Sequence, residues 1–320
     1  MSCRICAGSL GSEIYRPREM MFGTREAFDY VLCEDCSTLQ IAEIPGDLAQ
    51  YYAGNSYYSF NQSRGEAGWK VALKRMVAGG MIGRPNAYPS NGGLLDKIRR
   101  GAEPWTAHVA GLRRDSAVLD VGCGEGARLQ AMARLGFTNL TGIDLFLPND
   151  KAGKQADGIV LHSGDLAQHD GRYDCITMHH SLEHVPDPAA LLAAARDRLN
   201  PGGAIYIRVP LFQPDIWAEF GVNWAQIDAP RHLYLFSAQA FLDMAQRAGL
   251  TCERSGNDTL GWSLAWSHAY ANDIAMYDES GAQNSLPFTP EQIAAFDREA
   301  EALNAANKGD QGYFVLRTAE

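Results

Sequence analysis

Long apolar runs are missing from this sequence of 320 residues, and none approaches the roughly 20 residues a membrane-spanning helix requires. The N-terminus, Met1-Ser2-Cys3-Arg4-Ile5-Cys6, lacks the basic segment and apolar core of a secretory signal. Positive charge is also short: 28 Lys and Arg face 38 Asp and Glu, a net charge of −10, and no stripe of basic residues stands out. Such a surface repels a polyanion, so a nucleic-acid partner is not expected and a small or neutral substrate is. Cysteine is sparse outside two pairs. The seven are Cys3/Cys6, Cys33/Cys36, and singly Cys123, Cys175 and Cys252. Paired spacing without a signal peptide reads as metal binding in a reducing, cytoplasmic compartment rather than as disulfides. What remains is an ordinary globular composition, long enough for a full α/β core and a small accessory unit.

Residues 1–42 hold the two Cys-x-x-Cys turns, Cys3/Cys6 and Cys33/Cys36. Two such turns can close a tetrahedron of thiolates around zinc, which leaves no open position for catalysis. About 40 residues bury too little apolar surface to fold alone, so metal binding would supply much of the folding energy. A redox dithiol would want one pair beside a βαβ pattern, which is not the pattern here. Residues 43–114 read as an aromatic and helical linker or lid. Tyr51, Tyr52, Tyr57, Tyr58 and Phe60 surround Gly54-Asn55, and helical spacing follows over 67–77 and again from 94 onward. The tyrosines either pack the N-terminal unit onto the rest or reach the cofactor or substrate.

From residue 115 strands and helices alternate. Residues 117–121 form a continuous apolar run, as buried parallel strands do. The run enters Gly122-Cys123-Gly124-Glu125-Gly126 ahead of a helix, a turn that lets backbone approach a ligand closely. The second strand ends in Asp144, where a carboxylate can accept both ribose hydroxyls of an adenosine. A third strand leads to Ser163-Gly164-Asp165-Leu166 and a fourth spans 173–180. A helix capped by Asp187, with Pro188 at its first position, precedes a fifth strand over 204–209. Later segments predict a helix over 236–248, a strand over 251–256 and a last strand over 312–318. Two helical stretches, 262–276 and 289–306, fall in an insertion of about 257–311.

In order and spacing, LDVGCGEG, GIDL, SGDL, YDCITMHHSLEHVPDP and LNPGGAIYIRVP resemble the successive motifs of class I S-adenosylmethionine (SAM)-dependent methyltransferases. The resemblance covers roughly 115–256 and is to the broad group that includes the ubiquinone-pathway and sugar methyltransferases, and with the N-terminal unit the chain is similar to zinc-carrying sugar methyltransferases. It implies an α/β Rossmann-like seven-stranded sheet over 115–320, with a small zinc ribbon and helical additions. It also implies that Asp120, Gly122 and Gly124 hold the methionine part of SAM, with Cys123 lending backbone. Asp144, beside Leu145, would take the ribose. Asp165 and Leu166 would flank the adenine, and His179 would lie near the methionyl end.

Methyl transfer is an in-line displacement, and an alcohol must also lose its proton. Ligands of open α/β sheets bind beyond the carboxyl ends of the strands, where this chain carries His179-His180-Ser181-Leu182-Glu183-His184. Three roles are open to this loop. His184 or His180 could be a general base, or His180, Glu183 and His184 could hold a divalent metal, or the stretch could be a structural turn. Related enzymes place Glu-x-x-Glu-His here for magnesium, and His180 replaces their first glutamate, which suits a softer ion. His232 and Arg231, after the fifth strand, are further candidates as base or substrate contacts.

For the acceptor, the charge balance and the aromatic middle segment point to a sugar or glycan hydroxyl in polysaccharide or sugar metabolism. Two alternatives are carbon methylation of a nucleotide-linked keto-sugar and methylation of ribosomal RNA gripped by the zinc ribbon. A non-catalytic SAM-binding scaffold is an alternative of another class.

Overall fold

In a computed structural model of the chain, residues 2–52, 68–85, 103–278 and 280–319 are described. Tyr57, Tyr58, Phe60 and the first part of the helical stretch expected from residue 94 lie outside them, and its continuation holds a short turn at Pro104–Ala107. The N-terminal unit contributes three short antiparallel strands, β1 (Leu10–Tyr15), β2 (Tyr30–Cys33) and β3 (Leu39–Ile41). Helix α1 (Gly68–Gly79) follows.

The main sheet begins at β4 (Val118–Val121), a strand buried along its whole length. After it come α2 (Ala127–Leu135), β5 (Leu140–Asp144), β6 (Gly153–Lys154), β7 (Val160–Ser163) and β8 (Tyr173–His179). Next are α3 (Pro188–Asp197), β9 (Leu199–Pro210), α4 (Pro214–Phe220), β10 (Tyr234–Leu235) and α5 (Ala238–Arg247). The chain closes with β11 (Leu250–Asn257), α6 (Gly261–Ala271), α7 (Pro290–Ala305) and β12 (Gln311–Thr318). The main sheet has the order β11-β12-β9-β8-β4-β5-β7-β6. Its central strands are parallel, and β12 runs antiparallel between β9 and β11.

This is the α/β methyltransferase arrangement, with one strand beyond the seven expected. The extra strand is the two-residue β6, too short and polar to show a strand period. It pairs with β7 because the chain doubles back, Gln155 N–H donating to the Ile159 carbonyl. Strand β9 also starts earlier than its apolar run. It carries Asn200-Pro201-Gly202-Gly203 within its length through a register shift against β8.

Alternation sorts the strand residues between two cores. Leu119, Ile176 and Ile207 face α3 and α5. Val118, Cys175 and Tyr206 face α2 and Trp105. Caps fix the helix starts. The Asp187 carboxylate accepts from Ala190 N–H, Ser237 from Ala240 N–H, and Thr289 forms a full capping box with Gln292. Strand β10 does not join the main sheet. It pairs with β3, giving the N-terminal sheet the order β1-β2-β3-β10 and tying that unit to the chain just after His232. Among the described residues no helix is long and apolar enough to cross a membrane.

Candidate active site

The turn from β4 into α2 needs its glycines. Gly122, Gly124 and Gly126 have φ of 76°, 51° and 79°, the left-handed region that side chains disfavour. Gly122 also lies against the loop after β8: a Cβ there would stand 2.5 Å from that of Ser181. The Asp144 carboxylate, at the end of β5, accepts from Gly124 N–H (2.9 Å) and Phe146 N–H (2.8 Å). It therefore ties the glycine turn to the next strand. The side chain of Asp165 caps the short turn from Leu166 to Gln168, accepting from Ala167 N–H at 2.9 Å. Leu166 is buried, whereas Leu145 is 64% exposed. Gly122, Asp144, Leu145, Asp165 and Leu166 share the wall of a cavity of about 500 Å³ with His180, Ser181, His184, Tyr52 and Phe146. Tyr52 and Phe146 stack across its edge with ring centroids 5.5 Å apart.

Four expected cofactor residues, Asp120, Cys123, Gly124 and His179, do not line this cavity. Asp120 is buried, accepts from the Thr177 hydroxyl at 2.7 Å, and has its carboxyl pushed up to about 6 by burial. His179 occupies an aromatic nest, its ring centroid 5.4 Å from that of Trp105 and 5.1 Å from that of Tyr206. Burial pulls its pKa well down. His180 lies beyond the end of β8, turns with φ of 52° and lines the cavity instead. Cys123 is buried, with its Sγ packed where a Cβ of Gly142 would be.

The loop after β8 makes one tight turn over Leu182, Glu183 and His184 and packs against residues 226–233. Glu183 is fully buried and burial pushes its carboxyl up to about 8. One carboxylate oxygen lies 3.2 Å from His180 Nδ1 and 3.8 Å from His232 Nε2. The other has no hydrogen-bond partner among the described residues. His184 Nδ1 stands 2.9 Å from the Arg231 carbonyl and 2.9 Å from the Tyr52 hydroxyl. A carbonyl only accepts, so Nδ1 carries the proton and Nε2, which has no hydrogen-bond partner among the described residues, is a bare lone pair. His232 repeats the pattern, its Nδ1 2.7 Å from the Gln226 carbonyl. Burial lowers both imidazole pKa values, that of His184 to about 3, so both rings are neutral. Glu183, His184 and His232 each offer a ligand atom, and these atoms all lie within 4.8 Å of one another. The carboxylate and imidazoles thus converge as expected, but the triad draws in His232, with His180 bonded to Glu183 beside it.

Arg231 is fully buried and donates to Asp228 and to Glu19 of the N-terminal unit. That placement takes it out of reach of a substrate phosphate. Glu19, Phe146 and Ser181 are site residues the sequence did not single out. Tyr52 belonged to the tyrosine cluster, but nothing local marks Glu19, whose partner lies 212 positions away.

In the N-terminal unit Cys3 and Cys36 sulfurs are 3.8 Å apart and those of Cys6 and Cys33 3.5 Å, with all four within 4.8 Å. A tetrahedron with Zn–S of about 2.3 Å has edges of about 3.8 Å, so the four thiols fit such an ion.

A family model described as a methyltransferase domain matches residues 95–255. The chain belongs to that family, as a SAM-dependent methyltransferase domain. Three relatives are each named ubiquinone biosynthesis O-methyltransferase. That of Shewanella pealeana is 30% identical over 151 residues, 42% of this chain and 64% of its own length. That of Xanthomonas euvesicatoria is 41% identical over 122 residues, 35% of this chain and 49% of its own. That of Aromatoleum aromaticum is 30% identical over 187 residues, 48% of this chain and 78% of its own. The chain thus spans about half to two thirds of the length of the first two. Among solved structures, the geranyl diphosphate C-methyltransferase of Streptomyces coelicolor A3(2) is 12% identical, with a TM-score of 0.48 over 85% of this chain and 97% of that one.

These names correct the expected acceptor. Relatives in ubiquinone biosynthesis overturn the sugar or glycan hydroxyl, and with it the carbohydrate and polysaccharide setting, the keto-sugar and the ribosomal RNA. The membership of a methyltransferase family replaces the scaffold alternative. The physical reason is on the cavity wall. A sugar needs a wall of hydrogen-bonding groups, and here Leu48, Tyr52, Leu145, Phe146, Val185 and Leu191 supply mostly apolar surface. The tyrosines suggested flat sugar platforms, yet Tyr51 packs edge-on against Phe28 and donates to Glu26.

Proposed function

We propose that this chain methylates a hydroxyl of an apolar acceptor in ubiquinone biosynthesis, using SAM. The observation that carries the reading is the Glu183–His184–His232 constellation, with His184 on the same cavity as the glycine turn and Asp144. The names of the relatives support the acceptor class.

SAM, when bound, supplies an electrophilic methyl group on a sulfonium. The turn 122–126 would accept it by backbone, Asp144 would take the ribose and Leu166 would pack on the adenine, with Asp165 at its edge. The protein's own task is to orient the acceptor oxygen and take its proton. Tyr52 and Phe146 would hold an apolar ring at the cavity edge. His184 Nε2, with its tautomer fixed through Nδ1, would accept that proton, a step that burial opposes by disfavouring the charged ring.

A metal-assisted version is supported by the same atoms. Metal-binding histidines commonly donate their other N–H to a backbone carbonyl, as His184 and His232 do. A buried carboxylate with an unpartnered oxygen also calls for a cation or a proton. A divalent ion held by Glu183, His184 and His232 would act as a Lewis acid on the acceptor hydroxyl. The four cysteines would hold a structural zinc in either version.

Calorimetric titration with SAM, followed by methyl transfer to hydroxylated benzoquinone precursors, tests the reading. SAM should bind, and His184→Ala should lower the rate by about 100-fold or more, the usual worth of a proton-transferring group. Loss of activity on chelation, restored by a divalent ion, selects the metal version, and full activity in chelator selects the base. A chain that binds no SAM, or a His184→Ala variant at full rate, refutes the proposal.

A further inference from the structure

Three consecutive peptide carbonyls hold the loop that carries His232. The carbonyl of Arg231 accepts from His184 Nδ1 at 2.9 Å. That of His232 accepts from the Tyr30 hydroxyl at 2.7 Å, and that of Leu233 from Ile41 N–H at 3.0 Å. The first faces the candidate active site, and the next two are gripped by the N-terminal unit. Leu233 N–H in turn donates to the Glu183 carbonyl at 2.8 Å. The loop is therefore strung between the cysteine unit on one side and Glu183 and His184 on the other.

The Arg231 side chain anchors it. Asp228 takes two of its hydrogen bonds, from Nε at 3.0 Å and from Nη2 at 2.6 Å. The remaining surroundings come from the N-terminal segment. Nη2 donates to Glu19 at 2.8 Å, Nη1 to the Tyr51 carbonyl at 3.3 Å, and the guanidinium lies 5.1 Å from the centre of the Phe22 ring. Glu19 is itself fully buried and accepts from the backbone N–H groups of Phe22 and Thr24, so it cannot follow Arg231 if that residue shifts. Burying an arginine with two carboxylates brings little net stability over apolar residues of similar size. What the charges and the planar fork do fix is direction: the guanidinium can face Glu19 and Asp228 together in one orientation.

We propose that Glu19 and Tyr30 are positioning residues for methyl transfer. They act through Arg231 and His232 to hold the carbonyl that sets the His184 tautomer. The N-terminal cysteine unit is on this view a working part of the active site, completing it from 212 positions away in sequence. The proposal rests on the role of His184 given above, and its test reads the imidazole directly, so it stands or falls whether or not the right acceptor has been found.

The experiment is long-range proton–nitrogen correlation of the histidine rings in the full-length protein as purified, with SAM titrated in parallel. In the wild type, His184 should show a protonated Nδ1 and an unprotonated Nε2. In Glu19→Gln the Nδ1–H form should give way to a mixture with the Nε2–H form. Exchange of the Leu233 amide hydrogen should accelerate about tenfold or more, as expected when a hydrogen bond to a charged group is lost. SAM affinity should stay within about twofold, because no SAM-side residue has moved. Tyr30→Phe keeps the ring and removes one hydroxyl, so it should fold and shift the tautomer the same way by a smaller amount. It decides the matter if Glu19→Gln does not fold. A wild-type His184 signal in a folded Glu19→Gln, or in Tyr30→Phe if Glu19→Gln does not fold, overturns the proposal. So does a SAM affinity that falls along with the tautomer, since that outcome indicates general loosening rather than positioning.

Discussion

Adding one methyl group at Gly122 should disable cofactor binding by a route the geometry makes specific. Gly122 has φ of 76°, where an alanine costs about 1–2 kcal/mol over glycine. Its new Cβ would stand 2.5 Å from the Cβ of Ser181 and 3.2 Å from the Oγ. A Cβ fixed to backbone cannot swing aside, so the loop after β8 must retreat. Such overpacking costs about 1–3 kcal/mol. Retreat also stretches the hydrogen bond from Ser181 Oγ to the Val121 carbonyl, now 2.9 Å, worth about 1 kcal/mol. The sum is about 3–6 kcal/mol shared between fold stability and the bound state. A half share falling on binding weakens SAM by about tenfold to a hundredfold. The assay is calorimetric SAM titration beside a urea melt for Gly122→Ala, Ser181→Gly and the double variant. Ser181→Gly removes the clashing atom, so the double variant should recover the overpacking part while keeping the backbone strain and the lost hydrogen bond. This non-additivity is the signature of direct contact. Strict additivity of the two substitutions, or wild-type SAM affinity in Gly122→Ala, would refute the reasoning.

Asp120 carries a carboxyl held at about 6 by burial, above its ordinary value, so the fold favours its protonated form. That contribution is complete below about pH 4 and is lost as pH rises through about 6, so wild type should lose roughly 3 kcal/mol relative to Asp120→Asn across that window. Urea melts at a series of pH values check this, and parallel curves for the two proteins would rule it out. Cys33→Ser should lower bound zinc and loosen the N-terminal sheet together, as metal analysis and hydrogen exchange would show, whereas Cys252→Ser should leave both unchanged. Thr289→Ala removes a capping box at the start of α7 and should cost about 1 kcal/mol in a thermal melt, with no change in SAM affinity.

The difference between what the sequence displayed and what it concealed is one of distance along the chain. The glycine turn, Asp144 at the end of β5 and the paired cysteines are chemistries written within a few residues, and each was visible as a local pattern. His179 and His180 are adjacent in sequence, but β8 ends at His179 and His180 turns with φ of 52°, so one sits in the Trp105 and Tyr206 nest and the other on the cavity. The family motif led instead to a shared site for both. The acceptor loop was of a different kind. That His184 and His232 converge depends on two loops 47 positions apart meeting at one carbonyl. That the meeting is rigid depends on Glu19, Tyr30 and the pairing of β3 with a two-residue strand too short to have a period. Composition misled in the same region. A cluster of tyrosines has the same count whether its rings face a ligand or, as with Tyr51, a neighbouring phenylalanine. A side chain whose tautomer is set by a remote backbone carbonyl leaves no spacing to find. The four-cysteine unit therefore looked like a separate module, although the loop it grips is the one that meets His184.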